Sequence, residues 1–163
     1  MKRYIYQLAN PLMETRMYID FYKLQIEQDK AIYKLFAGVV EDEIISLIPI
    51  RRFIKDDLYG TLYIGRSSSV IKRILGSLVP TLHPGWYPST DSKHPCGKKF
   101  HSNPIFSKIF PYKNLLVEII YCESPYAMEK RHLAKYEKEF GDLPVLNSKI
   151  EMKRSSTGIY SIL

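Results

Sequence analysis

Tyr63, Arg73 and Glu129 are the residues of this chain whose types and spacing suit phosphoryl chemistry. The first two belong to residues 62–73, LYIGRSSSVIKR, and the third to residues 128–147, MEKRHLAKYEKEFGDLPVLN. A guanidinium keeps its proton at all working pH values and can neutralise charge building on phosphoryl oxygens. A carboxylate offers a hard oxygen ligand to one divalent ion. A phenol can orient or deprotonate water when neighbouring cations assist it, being a poor base at its ordinary pKa. Together the three make a nuclease's inventory.

The helices that carry these groups separate packing residues from working ones. At about 100° per residue, Val70, Ile71, Ile74, Leu75 and Leu78 share one arc of a helix predicted over 67–78, and Lys72 and Arg73 fall off it. Gly65 permits close backbone approach at the end of the preceding strand. Ser67, next to Arg66, is expected to cap the helix and leave its positive end facing an anion such as a phosphate. On the last helix, Met128, Leu133, Tyr136 and Phe140 define the apolar arc, and Glu129 projects into it with His132 on the same side. A carboxylate there is costly to desolvate unless it is paired or bound to a cation. Three readings stay open: an ion pair with an arginine or lysine, a helix rotated slightly so that Glu129 reaches the rim, or ligation of Mg²⁺ or Mn²⁺.

The elements that position these residues read as follows. Residues 44–50 (IISLIPI) and 60–65 (GTLYIG) predict two antiparallel strands joined by the polar loop RRFIKDDLY, and residues 115–121 (LLVEIIY) a third strand. The final helix is predicted from Ser124 and Pro125 to Phe140, where Gly141 stops it. Near the N-terminus, Met17, Phe21 and Leu24, then Ile32, Leu35 and Phe36, show helical spacing, with Gly38 as a C-cap. The aromatic stripe of Tyr18, Tyr22 and Tyr33 is read as core or dimer surface. The fold expected is α+β, a small three-stranded antiparallel sheet flanked by helices. An N-terminal helical extension is assigned to 1–43, the sheet domain to 44–150 and a tail to 151–163.

The chain has 163 residues, a formal net charge of +7 and 45% hydrophobic residues, enough for one core and favouring polyanionic partners, nucleic acid first. Cys96 and Cys122 are too few for a disulfide scaffold and fit a reducing cytosol. No apolar run reaches signal-peptide or membrane-span length, so a soluble, cytoplasmic protein without a membrane partner is expected. The segment 80–110 reads as a long functional loop, with Lys93, Lys98, Lys99, Lys108 and His101 among Trp86, Tyr87, Phe100 and Phe106. His83 and His101 are candidate bases. His83, His94, Cys96 and His101 match no regular zinc spacing.

Over residues 44–149 the chain resembles the GIY-YIG endonuclease superfamily. Tyr63, Ile64 and Gly65 spell the second signature strand. Arg73 stands where the family's arginine follows that tyrosine, Glu129 where its metal-binding glutamate opens the final helix, and Asn147 where an asparagine closes the domain. The family's first strand reads GIY, and the corresponding strand here reads SLIPI, without that tyrosine. A literal GIY at 158–160 is read as a chance match, with a tail strand folding back into the site as the alternative, and Tyr59 is another candidate stand-in. The resemblance implies Mg²⁺-dependent hydrolysis of DNA, RNA not being excluded, by a restriction, phage-defence or mobile-element nuclease, with a homodimer for double-strand cutting. Glu129 would hold the ion, Arg73 would neutralise phosphoryl charge, Tyr63 would orient water, and Asn147 would position Glu129 or a water. Arg66, Ser67, Lys72, Lys93, Lys98, Lys99 and His101 would contact nucleic acid. A protein that keeps the fold and binds without cutting is the alternative.

Overall fold

The computed structural model describes residues 3–23, 29–42, 44–86 and 94–148. Its centre is β2 (Ala31–Glu41), whose apolar run AIYKLFAGVV is buried on both faces. Along one side it pairs antiparallel with β5 (Leu115–Tyr121), and β5 pairs with β1 (Arg3–Gln7) at the outer edge. Along the other side, two strands share β2. Its first half takes β4 (Thr61–Ser67) and its second half takes β3 (Ile44–Leu47).

The architecture is therefore α+β with an antiparallel sheet of five strands, more than the three expected. Residues 31–41 are a strand, and Gly38 lies within it rather than capping a helix. Ile32, Leu35 and Phe36 mimic helical spacing because a strand covered on both faces shows no alternation to contradict it. Within the segment expected as a helical extension, Met13–Lys23 is helical (α1), and β1 and β2 join the sheet. The strands at 44–47 and 61–67 do not pair with each other; both pair with β2.

Helices cover both faces. Tyr33 and Leu35 of β2, with Val117 and Ile119 of β5, meet Met13 and Met17 of α1 and Val70, Ile74, Leu78 and Leu82 of a helical run over 70–82. That run consists of α2 (Val70–Arg73), a π-helical turn (Ile74–Leu78) and α3 (Val79–Leu82). The opposite face carries α6 (Pro125–Phe140), which packs Leu133, Tyr136 and Phe140 on Ile64 and Leu143. Tyr136 also donates a 2.9 Å hydrogen bond to the buried Asp57, pinning α6 to the loop before β4. As expected, α6 opens at Pro125 after Ser124 and ends at Gly141, whose φ of 82° suits a residue without Cβ.

The segment expected as a loop contains helices. α4 (Pro95–Ser102) starts from His94 as N-cap, and α5 (Pro104–Ile109) from Asn103, each with proline in the first turn. Lys93, Tyr87, and the tripeptide at 158–160 lie outside the described residues. Among the described residues, no helix is long and apolar enough to cross a membrane.

Candidate active site

The C-terminal end of β4, the first turn of α6, the start of β2 and α2 frame an open cleft of about 530 Å³. Lys30, Arg66, Ser67, Ser68, Arg73 and Ser124 line it, with Glu123 and Tyr126 at its wall. Arg73 comes from the polar side of α2, as its position off the apolar arc predicts. Lys72 turns away, into a separate depression with Glu14, Tyr18 and Leu75. Arg73 therefore joins Arg66 and Ser67 at the cleft, and Lys72 does not.

Glu129 sits beside the cleft with only 12% of its side chain exposed, and its Oε2 lies 3.0 Å from Nε of Arg66. The ion-pair reading of this carboxylate is thus met here. The Arg66 guanidinium also rests over the Tyr126 ring, 4.6 Å from its centroid, three residues before Glu129 on the same helix.

The strand that pairs with the YIG strand is β2, and it carries Ala31, Ile32 and Tyr33. The expectation that SLIPI holds this position is corrected: β3 lies against the far half of β2. Tyr33 pairs in register with Gly65, and its ring lies 6.1 Å from that of Tyr63. A Cβ on Gly65 would come within 2.6 Å of the Tyr33 hydroxyl and of the Tyr63 ring. Gly65 is required because two tyrosines close over it. A step in pairing from Leu35–Tyr63 to Phe36–Thr61 leaves Leu62 extra, so Leu62 and Tyr63 both enter the same core.

The Tyr33 hydroxyl oxygen lies 2.7 Å from Nε2 of His94 and accepts from Nε of Arg73 at 3.5 Å, the outer limit for such a bond. Burial raises the Tyr33 pKa above the usual phenol range, against the pull of Arg73. His94, fully buried, is pushed down to about 3 by burial and then by Arg73. Sequence reasoning missed both residues in this role. Tyr33 was legible as a tyrosine three residues into an apolar run, as AIY against GIY; His94 had no signal beyond its place before a proline.

The predicted anion site at the start of α2 is occupied by protein. Asp29 accepts from Val70 N with its carbonyl at 2.9 Å, and its carboxylate accepts from Ile71 N at 3.3 Å and from the Ser69 hydroxyl at 2.8 Å. Ser69, not Ser67, is the N-cap residue. Asn147 is committed elsewhere than expected. Its Oδ1 accepts from Ile64 N at 2.9 Å and its Nδ2 donates to Ile64 O at 2.8 Å, completing the outer edge of β4. It holds the YIG strand rather than Glu129.

The remaining candidates stand apart. Lys98 and Lys99 lie on α4, and neither lines the cleft. His101 stacks on Trp86, and His83 packs edge-on against Tyr112. Tyr59, two-thirds exposed, faces a groove on the α6 side of the sheet. Compared with known proteins, the chain matches no family model, no curated relative and no solved structure.

Proposed function

We propose that the chain is a metal-dependent endonuclease of GIY-YIG type that hydrolyses phosphodiester bonds in DNA by in-line attack of water. One observation carries this reading: Arg73, Arg66 and Lys30 line one open cleft, and the Glu129 carboxylate beside it is paired with Arg66. Three cations stand there against two carboxylates, Glu123 in the lining and Glu129 beside it, and one phosphodiester charge restores the balance. Tyr33 supplies the first-strand tyrosine of the resemblance, within AIY rather than GIY.

The donors fit a hard cation held by a single carboxylate. Among the described residues, no group of three or more His, Cys, Asp or Glu side chains could hold a metal. Mg²⁺ keeps several waters and completes its shell with substrate oxygens, so Glu129 suffices. When bound, the ion supplies polarisation of the phosphoryl group and stabilisation of the leaving 3′ oxygen. Glu129 would hold the ion in place of Arg66, and Arg66, stacked on Tyr126, would be left to contact the phosphate. Arg73 neutralises the equatorial oxygens. Of the two phenols, Tyr63 keeps 5% exposure and Tyr33 none, so orienting water falls to Tyr63 and holding Arg73 to Tyr33. With one such site per chain, double-strand cutting calls for a homodimer.

The Arg66–Glu129 pair favours a second reading, a nucleic-acid-binding protein that does not cut. Incubation of the purified protein with supercoiled DNA and Mg²⁺, beside Arg73→Ala and Glu129→Ala, decides between them, with a parallel RNA substrate. Cutting abolished by both substitutions supports the nuclease. Cutting that survives both would overturn the mechanism, and binding without cutting selects the second reading.

A further inference from the structure

We propose that His94 is a positioning residue: a neutral imidazole protonated on Nε2, it donates to the Tyr33 oxygen and so holds that oxygen as the acceptor that orients Arg73. The role of Arg73 in cutting rests on the nuclease reading above; the hydrogen-bond relay does not.

The tautomer follows from the cap. His94 precedes α4, and its Nδ1 accepts from the backbone N–H of Cys96 at 3.2 Å. An amide nitrogen can only donate, so Nδ1 carries no proton. In the neutral ring the proton is then on Nε2, and across the 2.7 Å contact Nε2–H donates and the Tyr33 oxygen accepts. Nε of Arg73 is likewise a donor, having no lone pair to offer. Two donors thus converge on one phenolic oxygen, whose own hydrogen must point away from both. The consequence for Arg73 is directional. With Nε committed to Tyr33, the terminal nitrogens are the donors that Arg73 has left for the cleft it lines.

The ring is anchored from behind. His94 N donates to Thr81 Oγ1 at 3.4 Å, and Thr81 donates to the Ser77 carbonyl at 2.6 Å, tying the cap to the helical run that carries Arg73. α4 seats against that run at Gly97, where a Cβ would lie 2.2 Å from Cγ2 of Thr81. The imidazole also packs edge-on against both tyrosines, at 6.0 and 5.7 Å between ring centroids. Its position is fixed by the same element that carries the guanidinium it serves.

The test separates the cap from the relay. In His94→Asn the shorter side chain still accepts from the Cys96 amide, because asparagine is a good N-cap, but it cannot reach Tyr33. Tyr33→Phe breaks the same link with the cap untouched. Nitrogen NMR of the wild-type imidazole should show the Nε2–H tautomer from about pH 5 to 9, and the Arg73 Nε–H resonance should shift in both variants. Cutting of DNA should fall about 10- to 100-fold in kcat with KM little changed, the range for residues that orient a working group, and the double variant should be no worse than the more impaired single one. An Nδ1–H tautomer, or an Arg73 Nε–H signal unmoved in Tyr33→Phe, would overturn the relay whether or not His94→Asn folds. Absence of cutting by the wild type would sink the nuclease reading, while the NMR signals still decide the relay.

Discussion

Arg66 and Glu129 are joined beside the cleft by a 3.0 Å ion pair, and the same guanidinium is stacked on Tyr126. A divalent ion that binds Glu129 must therefore compete with an arginine already held at two points. Removing the competitor should strengthen metal binding before any DNA is present. Arg66→Gln is expected to raise Mg²⁺ affinity about three- to fivefold by calorimetry, as suits a partly exposed pair worth up to about 1 kcal/mol. Its DNA affinity should fall, with a shallower salt dependence. Equal Mg²⁺ affinity in both proteins would show that Arg66 does not guard the carboxylate.

Arg73 combines a charge, a planar fork and a contact with Tyr33, and two substitutions divide these. Arg73→Ala removes all three and should lower single-turnover cutting about 10²- to 10³-fold, the usual cost of one donor to a developing oxyanion. Arg73→Lys keeps the charge but loses the fork, and is expected to recover only part of that loss. Wild-type rates in the lysine variant would mean that charge alone matters at this position.

How far these features were legible in the sequence depends on what each residue does to the local pattern. Arg73 stood out because it interrupts a helical arc, and Glu129 because it enters one; both anomalies survive in three dimensions. Tyr33 interrupts nothing. It sits in a strand buried on both faces, where apolar residues flank it on either side of Lys34 and the spacing of Ile32, Leu35 and Phe36 imitates a helix. Asn103 followed by Pro104 was a readable helix start, whereas His94 before Pro95 was not, histidine being an uncommon cap. Asp29 as partner of the α2 terminus could not be read at all, since a contact between residues 29 and 71 leaves no trace in local spacing.

Asn147 replaces a neighbouring strand along the outer edge of β4, satisfying both backbone groups of Ile64 with one amide. Asn147→Ala should leave a buried N–H and C=O without partners and cost about 1–3 kcal/mol in urea unfolding. Asn147→Asp should be no milder, because its carboxylate keeps the acceptor but faces the Ile64 carbonyl without a hydrogen to give. Since Ile64 lies between Tyr63 and Gly65, loss of cutting should exceed what the fall in folded fraction explains. If cutting tracks the folded fraction alone, Asn147 serves stability and not the alignment of the site.

Acid should destabilise the protein through His94. Its ring, normally near 6.5, is pushed down to about 3, chiefly by burial and secondly by Arg73. Between those values the unfolded chain binds a proton that the folded chain refuses. The stability tied to the neutral ring is thus complete above pH 6.5 and is lost progressively as the pH falls toward 3. Protonation of Nδ1 would also break the cap to Cys96 N. Between pH 7 and 4.5 the loss from this group should reach about 2–3 kcal/mol. His132 acts in the same direction, pushed down to about 4 by burial first and then by Lys34, Arg3 and other cations, but it is half-buried and more readily solvated. Urea midpoints at the two pH values should therefore diverge strongly in the wild type and less in His94→Asn, with the remaining acid sensitivity reduced further by His132→Gln. Equal acid slopes in the wild type and His94→Asn would mean that the His94 ring takes up its proton in the folded protein near its ordinary value, and that the Nδ1 acceptor for Cys96 N is lost there without cost to the fold.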